Sequence, residues 1–217
     1  MVYLCCAFPD TAKRQFTRQK AAAEMTHYRR KGPGPTTRLL RDGLVRAGLI
    51  EGTLLDVGGG VGALSFELLD RGVARAVIVD ASSAYLAVAS EEAVRRGRST
   101  STEFVHGDFV TASDQLTPAD VVTLDRVVCC YPFYEPLLVQ ALRHAKRGFA
   151  VSYPRDRWYV NIGVWFENAV RKWRANPFRT FVHSPPAMER MIEGAGFELA
   201  SRRCNLTWSA DVFVKRA

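Results

Sequence analysis

Leu54-Leu55-Asp56-Val57-Gly58-Gly59-Gly60-Val61-Gly62 sets one acid and four glycines at the end of an apolar run. Without Cβ atoms, a backbone can turn sharply there and let a ligand approach it closely. The same string satisfies a dinucleotide fingerprint as Gly58-x-Gly60-x-x-Ala63, so two ligand classes compete for it. A dinucleotide would bring its pyrophosphate to the turn and to the helix that follows. Asp56, two residues before the first glycine, would repel that group and suits a ligand carrying positive charge instead. S-adenosylmethionine, with an ammonium and a sulfonium and no phosphate, is such a ligand.

Two more acids follow apolar runs. Asp80, next to Ala81, comes one strand-helix-strand unit after Asp56, where a carboxylate can accept both hydroxyls of a ribose. Asp108, in Gly107-Asp108-Phe109, follows the third run, where an acid can take an adenine amino group. The competing reading makes these acids turn residues and helix caps. From about Thr53 to its end, the chain resembles the class I S-adenosylmethionine-dependent methyltransferases. That resemblance assigns the glycine loop to Asp56–Gly62, the ribose acid to Asp80 and the adenine-side acid to Asp108. It assigns the fourth cofactor segment to Leu124-Asp125-Arg126, which adds Asp125 to the set. It implies a seven-stranded, Rossmann-like doubly wound sheet, mostly parallel, with the last strand antiparallel.

In such a sheet the ends of strands four and five face the transferable methyl. Here they carry Asp125-Arg126 with Cys130-Tyr131-Pro132, and Tyr153-Pro154-Arg155-Asp156-Arg157. Residues 125–132 and 152–158, with the lead-in Tyr28-Arg29-Arg30-Lys31-Gly32, are similar to proteins related to the magnesium-protoporphyrin O-methyltransferases, which methylate a propionate carboxylate. A carboxylate is already a nucleophile at neutral pH, so such a site needs orientation and dryness rather than a base. Arg126, Arg155 and Arg157 are candidates to orient an acidic acceptor, although Arg155 and Arg157 could equally pair with surface acids. A phenol, amine or thiol acceptor would need a base. His183, Tyr131 and Tyr153 are the candidates for that, with a helix-capping role the alternative for His183.

The elements that must position these groups can be read from periodicity. Strands are expected at 53–57, 74–79, 103–106, 121–125, 149–153, 197–204 and 206–215. Helices are expected at 62–71, 83–96, 134–145 and 186–194. Strand-helix alternation means a parallel sheet covered on both faces, and the last two runs read as an antiparallel hairpin. Before the first strand, residues 10–31 read as a polar helix. Gly32-Pro33-Gly34-Pro35 breaks it, and Thr36 is a candidate cap for a second helix. Residues 1–50 are therefore expected as an N-terminal helical cap and 51–217 as the methyltransferase domain. Residues 155–184 interrupt the alternation and are rich in aromatics. They form an insertion expected on the acceptor side, with a packing helix the competing reading. That insertion and the segment near Tyr28–Lys31 are expected to close over the acceptor.

The chain's 217 residues suit one domain. No apolar run is long enough to span a bilayer, and Met1–Phe8 lacks the pattern of a secretory signal, so a cytoplasmic protein is expected. The five cysteines show no CxxC spacing, which signals neither zinc nor a disulfide framework. No metal is expected. The net charge of +8 raises the odds of an anionic partner. The basic residues are scattered, however, without a tail or an aromatic-interleaved motif, which argues against a nucleic-acid partner. The acceptor expected is a small molecule. The alternatives are an RNA or protein methyltransferase, a nicotinamide-dependent oxidoreductase, and a binding protein that keeps the fold without catalysis.

Overall fold

The computed structural model describes residues 15–216. Cys5, Cys6 and the 10–14 portion of the expected first helix lie outside the described residues. The strands are β1 Thr53–Val57, β2 Arg75–Asp80, β3 Thr102–His106, β4 Ala119–Leu124, β5 Ala145–Pro154, β6 Phe197–Cys204 and β7 Trp208–Lys215. They form one sheet in the order β3-β2-β1-β4-β5-β7-β6. The first five run parallel to their neighbours, and β7 runs antiparallel to both β5 and β6. The doubly wound sheet with a reversed last strand is as expected.

The hairpin has an internal order that alternation alone does not dictate. It is β7, not β6, that adjoins β5. Burial explains the choice. Ala210, Val212 and Phe213 of β7 are buried, whereas Glu198, Arg202 and Arg203 of β6 are exposed. The strand that buries apolar side chains on both faces, Val212 on one and Phe213 on the other, goes inside, and the one with exposed charges takes the edge.

On one face of the sheet lie α1 Arg18–Lys31, α2 Pro35–Arg46, α3 Ala63–Leu69 and α4 Ser83–Arg95, packed through Met25, Leu40, Leu44, Phe66 and Val88. The other face carries α5 Phe109–Ala112, α6 Glu135–His144 and α8 Pro185–Gly194, through Phe109, Leu137, Leu138, Met188 and Ile192. Gly43 lets α2 sit directly on the sheet, since a Cβ there would come within 2.8 Å of Val212. Thr36 does not cap α2. Pro35 opens the helix, its fixed φ and missing N–H suiting a first turn, and Gly34 is the cap residue. Thr36 and Thr37 are buried inside that turn.

The remaining helix, α7 Trp158–Trp173, buries only Val160. β1 leads to α3 on one face, while β4 leads to α6 on the other. Their adjacent C-terminal ends therefore open a crevice, the place where ligands enter such sheets.

Candidate active site

The turn after β1 is held from below and from the side. The N–H groups of Gly58 and Gly59 both donate to the Val79 carbonyl, at 2.7 and 3.3 Å. The N–H of Gly60 donates to Asp80 Oδ2 at 2.9 Å. Asp80 Oδ1 accepts from the Ser82 N–H at 2.7 Å, so Asp80 also fixes the start of α4. Burial raises its pKa, and those two backbone bonds work against the rise. Gly58 and Gly60 have φ of 63° and 59°, a region side chains avoid. Gly58 is also confined by packing, since its Cβ would meet Val127 at 2.6 Å. At Gly60 the Cβ would meet only the Tyr85 ring, at 3.5 Å, so Gly60 is the turn residue that keeps space clear beside Asp80.

Asp56 does not line the crevice. Strand alternation turns it to the face covered by α3. There it accepts hydroxyl hydrogen bonds from Ser65 at 2.6 Å and Thr123 at 2.7 Å, with no exposure at all. Gly59 is required by it, because a Cβ would lie 2.7 Å from Asp56 Oδ2. Burial pushes Asp56 up to about 6; the two hydroxyl bonds oppose the rise, and Asp125 and Asp80 add to it. Asp108 caps α5, accepting from the Val110 N–H at 3.3 Å and from the Tyr131 hydroxyl at 2.6 Å. Asp125 accepts from Thr37 at 2.6 Å and from Ser152 at 2.6 Å. The crevice itself is a cleft of about 310 Å³. Gly58, Gly60, Asp80, Ala81, Phe109 and Asp125 are among the residues that line it.

Residues 54–149 match the family model described as a methyltransferase domain. Among solved structures, the magnesium protoporphyrin IX methyltransferase of Synechocystis PCC 6803 with bound SAH is similar, with a TM-score of 0.68 and 20% identity over 83% of this chain and 82% of that one. The chain thus carries a methyltransferase domain on a Rossmann-like methyltransferase fold. An O-methyltransferase family protein from Burkholderia thailandensis has a TM-score of 0.67 and 15% identity, over 84% of this chain and 56% of that one. An O-methyltransferase family 2 protein from Planctomyces limnophilus, in complex with apigenin, has a TM-score of 0.60 and 19% identity, over 76% of this chain and 50% of that one. No curated protein sequence matches the chain. No helix among the described residues is long and apolar enough to cross a membrane.

The residues expected on the acceptor side depart from the expectation in several places. Arg126 lines the cleft, with a left-handed φ of 62°. Its N–H donates to Ser152 Oγ at 2.8 Å and its guanidinium reaches Glu24 at 3.3 Å. Tyr131 also lines the cleft. Burial and the neighbouring Asp108 hold its phenol well above the usual range. Tyr153 turns away from the cleft and donates to Asp211 at 2.6 Å, inside the β5–β7–β6 part of the sheet. Arg155 binds the carbonyl of Asn205 at 3.0 Å and so pins the hairpin turn. Arg157 is exposed and outside the cleft. His183 is packed against Tyr134 and Phe181, with its Nε2 set between the carbonyls of Val128 and Tyr131 at 3.0 and 2.9 Å. Burial lowers its pKa. It neither lines the cleft nor caps α8, whose cap position is Ser184.

Tyr28–Lys31 do not cover the cleft either. Tyr28 is buried, with its hydroxyl on Glu67, and Arg29 pairs with the buried Glu92. The cover comes from the start of the described chain. Phe16 packs edge-on against Tyr85 on one rim and Phe178 on the other, and its carbonyl accepts from Ser82 at 2.9 Å. Glu24 reaches Tyr85 at 3.4 Å as well as Arg126. Arg171 lies over the Phe178 ring and donates to Thr180 at 2.7 Å. Nothing in the sequence singles out Phe16, Glu24, Tyr85 or Arg171. They carry no motif and meet only through the tertiary fold.

Proposed function

We propose that the cleft binds S-adenosylmethionine and that the enzyme methylates a carboxylate oxygen on a small, flat, tetrapyrrole-like acceptor. One observation carries the cofactor half. Every N–H of the Gly58–Gly60 turn is already bonded within the protein, and a carboxylate, Asp80, takes the place where a dinucleotide would set its pyrophosphate. The cleft suits a cation rather than a polyphosphate. Asp80 with Ala81 would hold the ribose, each Asp80 oxygen keeping a second lone pair for a hydroxyl. Phe109 would wall the adenine, with Asp108 beside it. Asp125 and the turn at Gly58 and Gly60 would hold the amino acid end, while Gly59 and Gly62, expected there too, do not line the cleft but sit beneath it against Asp56 and Phe66, with Asp56 acting from below the floor.

Bound there, S-adenosylmethionine supplies an electrophilic methyl group. The protein's task is then to orient an oxygen against it and to exclude water. Arg126 and Arg171 both line the cleft and are fit to hold acidic groups of the acceptor. The phenol of Tyr131 is pushed away from base strength, and the Nε2 of His183 is committed to carbonyls. Neither favours an acceptor that must lose a proton, whereas a carboxylate has none to lose. The cover formed by Phe16 and Glu24 supports a small acceptor, and we assign residues up to about 50 as its cap.

Two measurements test this. Calorimetry should detect S-adenosylmethionine and no nicotinamide dinucleotide; the reverse would end the cofactor reading. Transfer of a labelled methyl should then favour carboxylate-bearing tetrapyrroles and give a base-labile ester. A base-stable N-methyl or aryl ether product would overturn the acceptor half alone.

A further inference from the structure

Helix α7 has an apolar stripe on the wrong side for a core. Trp158, Ile162, Trp165, Phe166 and Trp173 follow the spacing of one helical face. That face looks outward. Trp158, Trp165 and Trp173 are 75, 70 and 84% exposed, and Ile162 and Phe166 are 57 and 63% exposed. The opposite side of the helix holds Val160, Glu167 and Arg171, which meet the body of the enzyme and the rim of the cleft. Large aromatics in contiguous exposure mark a contact surface.

The charges around the stripe are mainly positive. Arg157 stands at the start of α7, and Lys172 and Arg174 at its end. All three are exposed, and none has an ion pair among the described residues. Of the two acids nearby, one is ion-paired and the other, beside Arg157, keeps its charge. Glu167 pairs with Arg171 at 2.5 Å, and Asp156 accepts from Asn161 at 2.9 Å. We infer that α7 docks the enzyme onto an anionic lipid surface, with the tryptophans in the headgroup boundary and the three cations against lipid phosphates. Trp and Phe on one face with Lys and Arg beside them is the composition of a helix that lies in a membrane interface. A second copy of the chain fits less well, because antiparallel pairing of two such helices brings Arg157 of each against Lys172 and Arg174 of the other. The cleft opens beside this helix through Glu167 and Arg171, so docking would set the acceptor entrance next to the bilayer. The docking itself holds whichever acceptor is used.

The test is flotation of the full chain with vesicles of phosphatidylcholine alone and of phosphatidylcholine with phosphatidylglycerol. Binding to the anionic vesicles, with a blue shift of tryptophan emission and quenching by brominated acyl chains, is the expected result. The double variant Trp165→Ser/Phe166→Ser changes exposed side chains only and should abolish the binding. Lys172→Glu/Arg174→Glu should weaken it by more than an order of magnitude, since each cation near such a surface is worth about fivefold in affinity and each reversal also adds repulsion. Failure of the wild type to float with anionic vesicles would overturn the inference. So would a dimer in light scattering that the Trp165→Ser/Phe166→Ser variant dissolves, because the stripe would then be a protein interface.

Discussion

Replacing Asp56 by Asn should stabilise this protein at neutral pH, although the acid sits in its most sequence-distinctive motif. The carboxyl is fully buried and its pKa stands near 6, above the ordinary value of 3.8 that it regains on unfolding. The sign follows from proton counting. Between those two values the folded chain holds the proton more tightly, so wild-type stability falls as pH rises through them and then levels off. Integrated, ionised Asp56 costs about 1 kcal/mol at pH 4.5 and about 3 kcal/mol at pH 7.5. Asn keeps the shape and removes the charge. It can accept from only one of Ser65 and Thr123, and turning the other hydroxyl around costs about 1 kcal/mol. The net gain is about 2 kcal/mol at pH 7.5 and near zero at pH 4.5. Urea midpoints of the two proteins at both pH values measure it. A pH-independent difference, or a variant less stable than wild type at pH 7.5, would refute the reasoning.

Three further outcomes follow from the same site. Because Asp80 and Asp125 raise the Asp56 pKa, a bound cation should lower it and expel its proton; S-adenosylmethionine should therefore bind more tightly as pH passes upward through about 6, while titration in Asp56→Asn should lose that step. Asp80→Ala should weaken cofactor binding by about 1.5–3 kcal/mol, the scale of charge-assisted hydrogen bonds, and calorimetry showing unchanged affinity would remove Asp80 from the site. Gly60→Val should abolish binding while the circular dichroism spectrum stays native, because a branched side chain both resists the left-handed turn and fills the space beside Tyr85; retained affinity would show that the ligand lies elsewhere.

Sequence made the sheet legible because each strand has its own signal: short apolar runs, a glycine turn, acids at successive ends. It could say which acids follow strands but not which way each one points. Asp56 is one residue from the turn, and alternation sends it under α3 rather than into the cleft. Tyr153 and Arg155 lie at the end of the correct strand, yet they are claimed by Asp211 and by the hairpin carbonyls. That was unreadable until β7 was known to lie beside β5. The aromatics of α7 have the spacing of a core helix. Only their exposure shows that the stripe faces away, and nothing in a period of 3.6 distinguishes inward from outward.

The N-terminal segment and the cleft form one hydrogen-bonded piece. Asp125, at the end of β4, is bound by Thr37 from α2 on one oxygen and by Ser152 from β5 on the other. The same Ser152 hydroxyl accepts the N–H of Arg126, whose left-handed backbone is stabilised by that bond. Arg126 in turn reaches Glu24 on α1, and Glu24 reaches Tyr85 above Gly60. A change in α1 or α2 therefore arrives at the floor of the cleft and at Arg126 together. If the cleft is the methyl site as proposed, the cap belongs to it, and a chain truncated to begin at the first strand would retain the glycine turn and Ser152 while losing Thr37 and Glu24, which hold Asp125 Oδ2 and the Arg126 guanidinium.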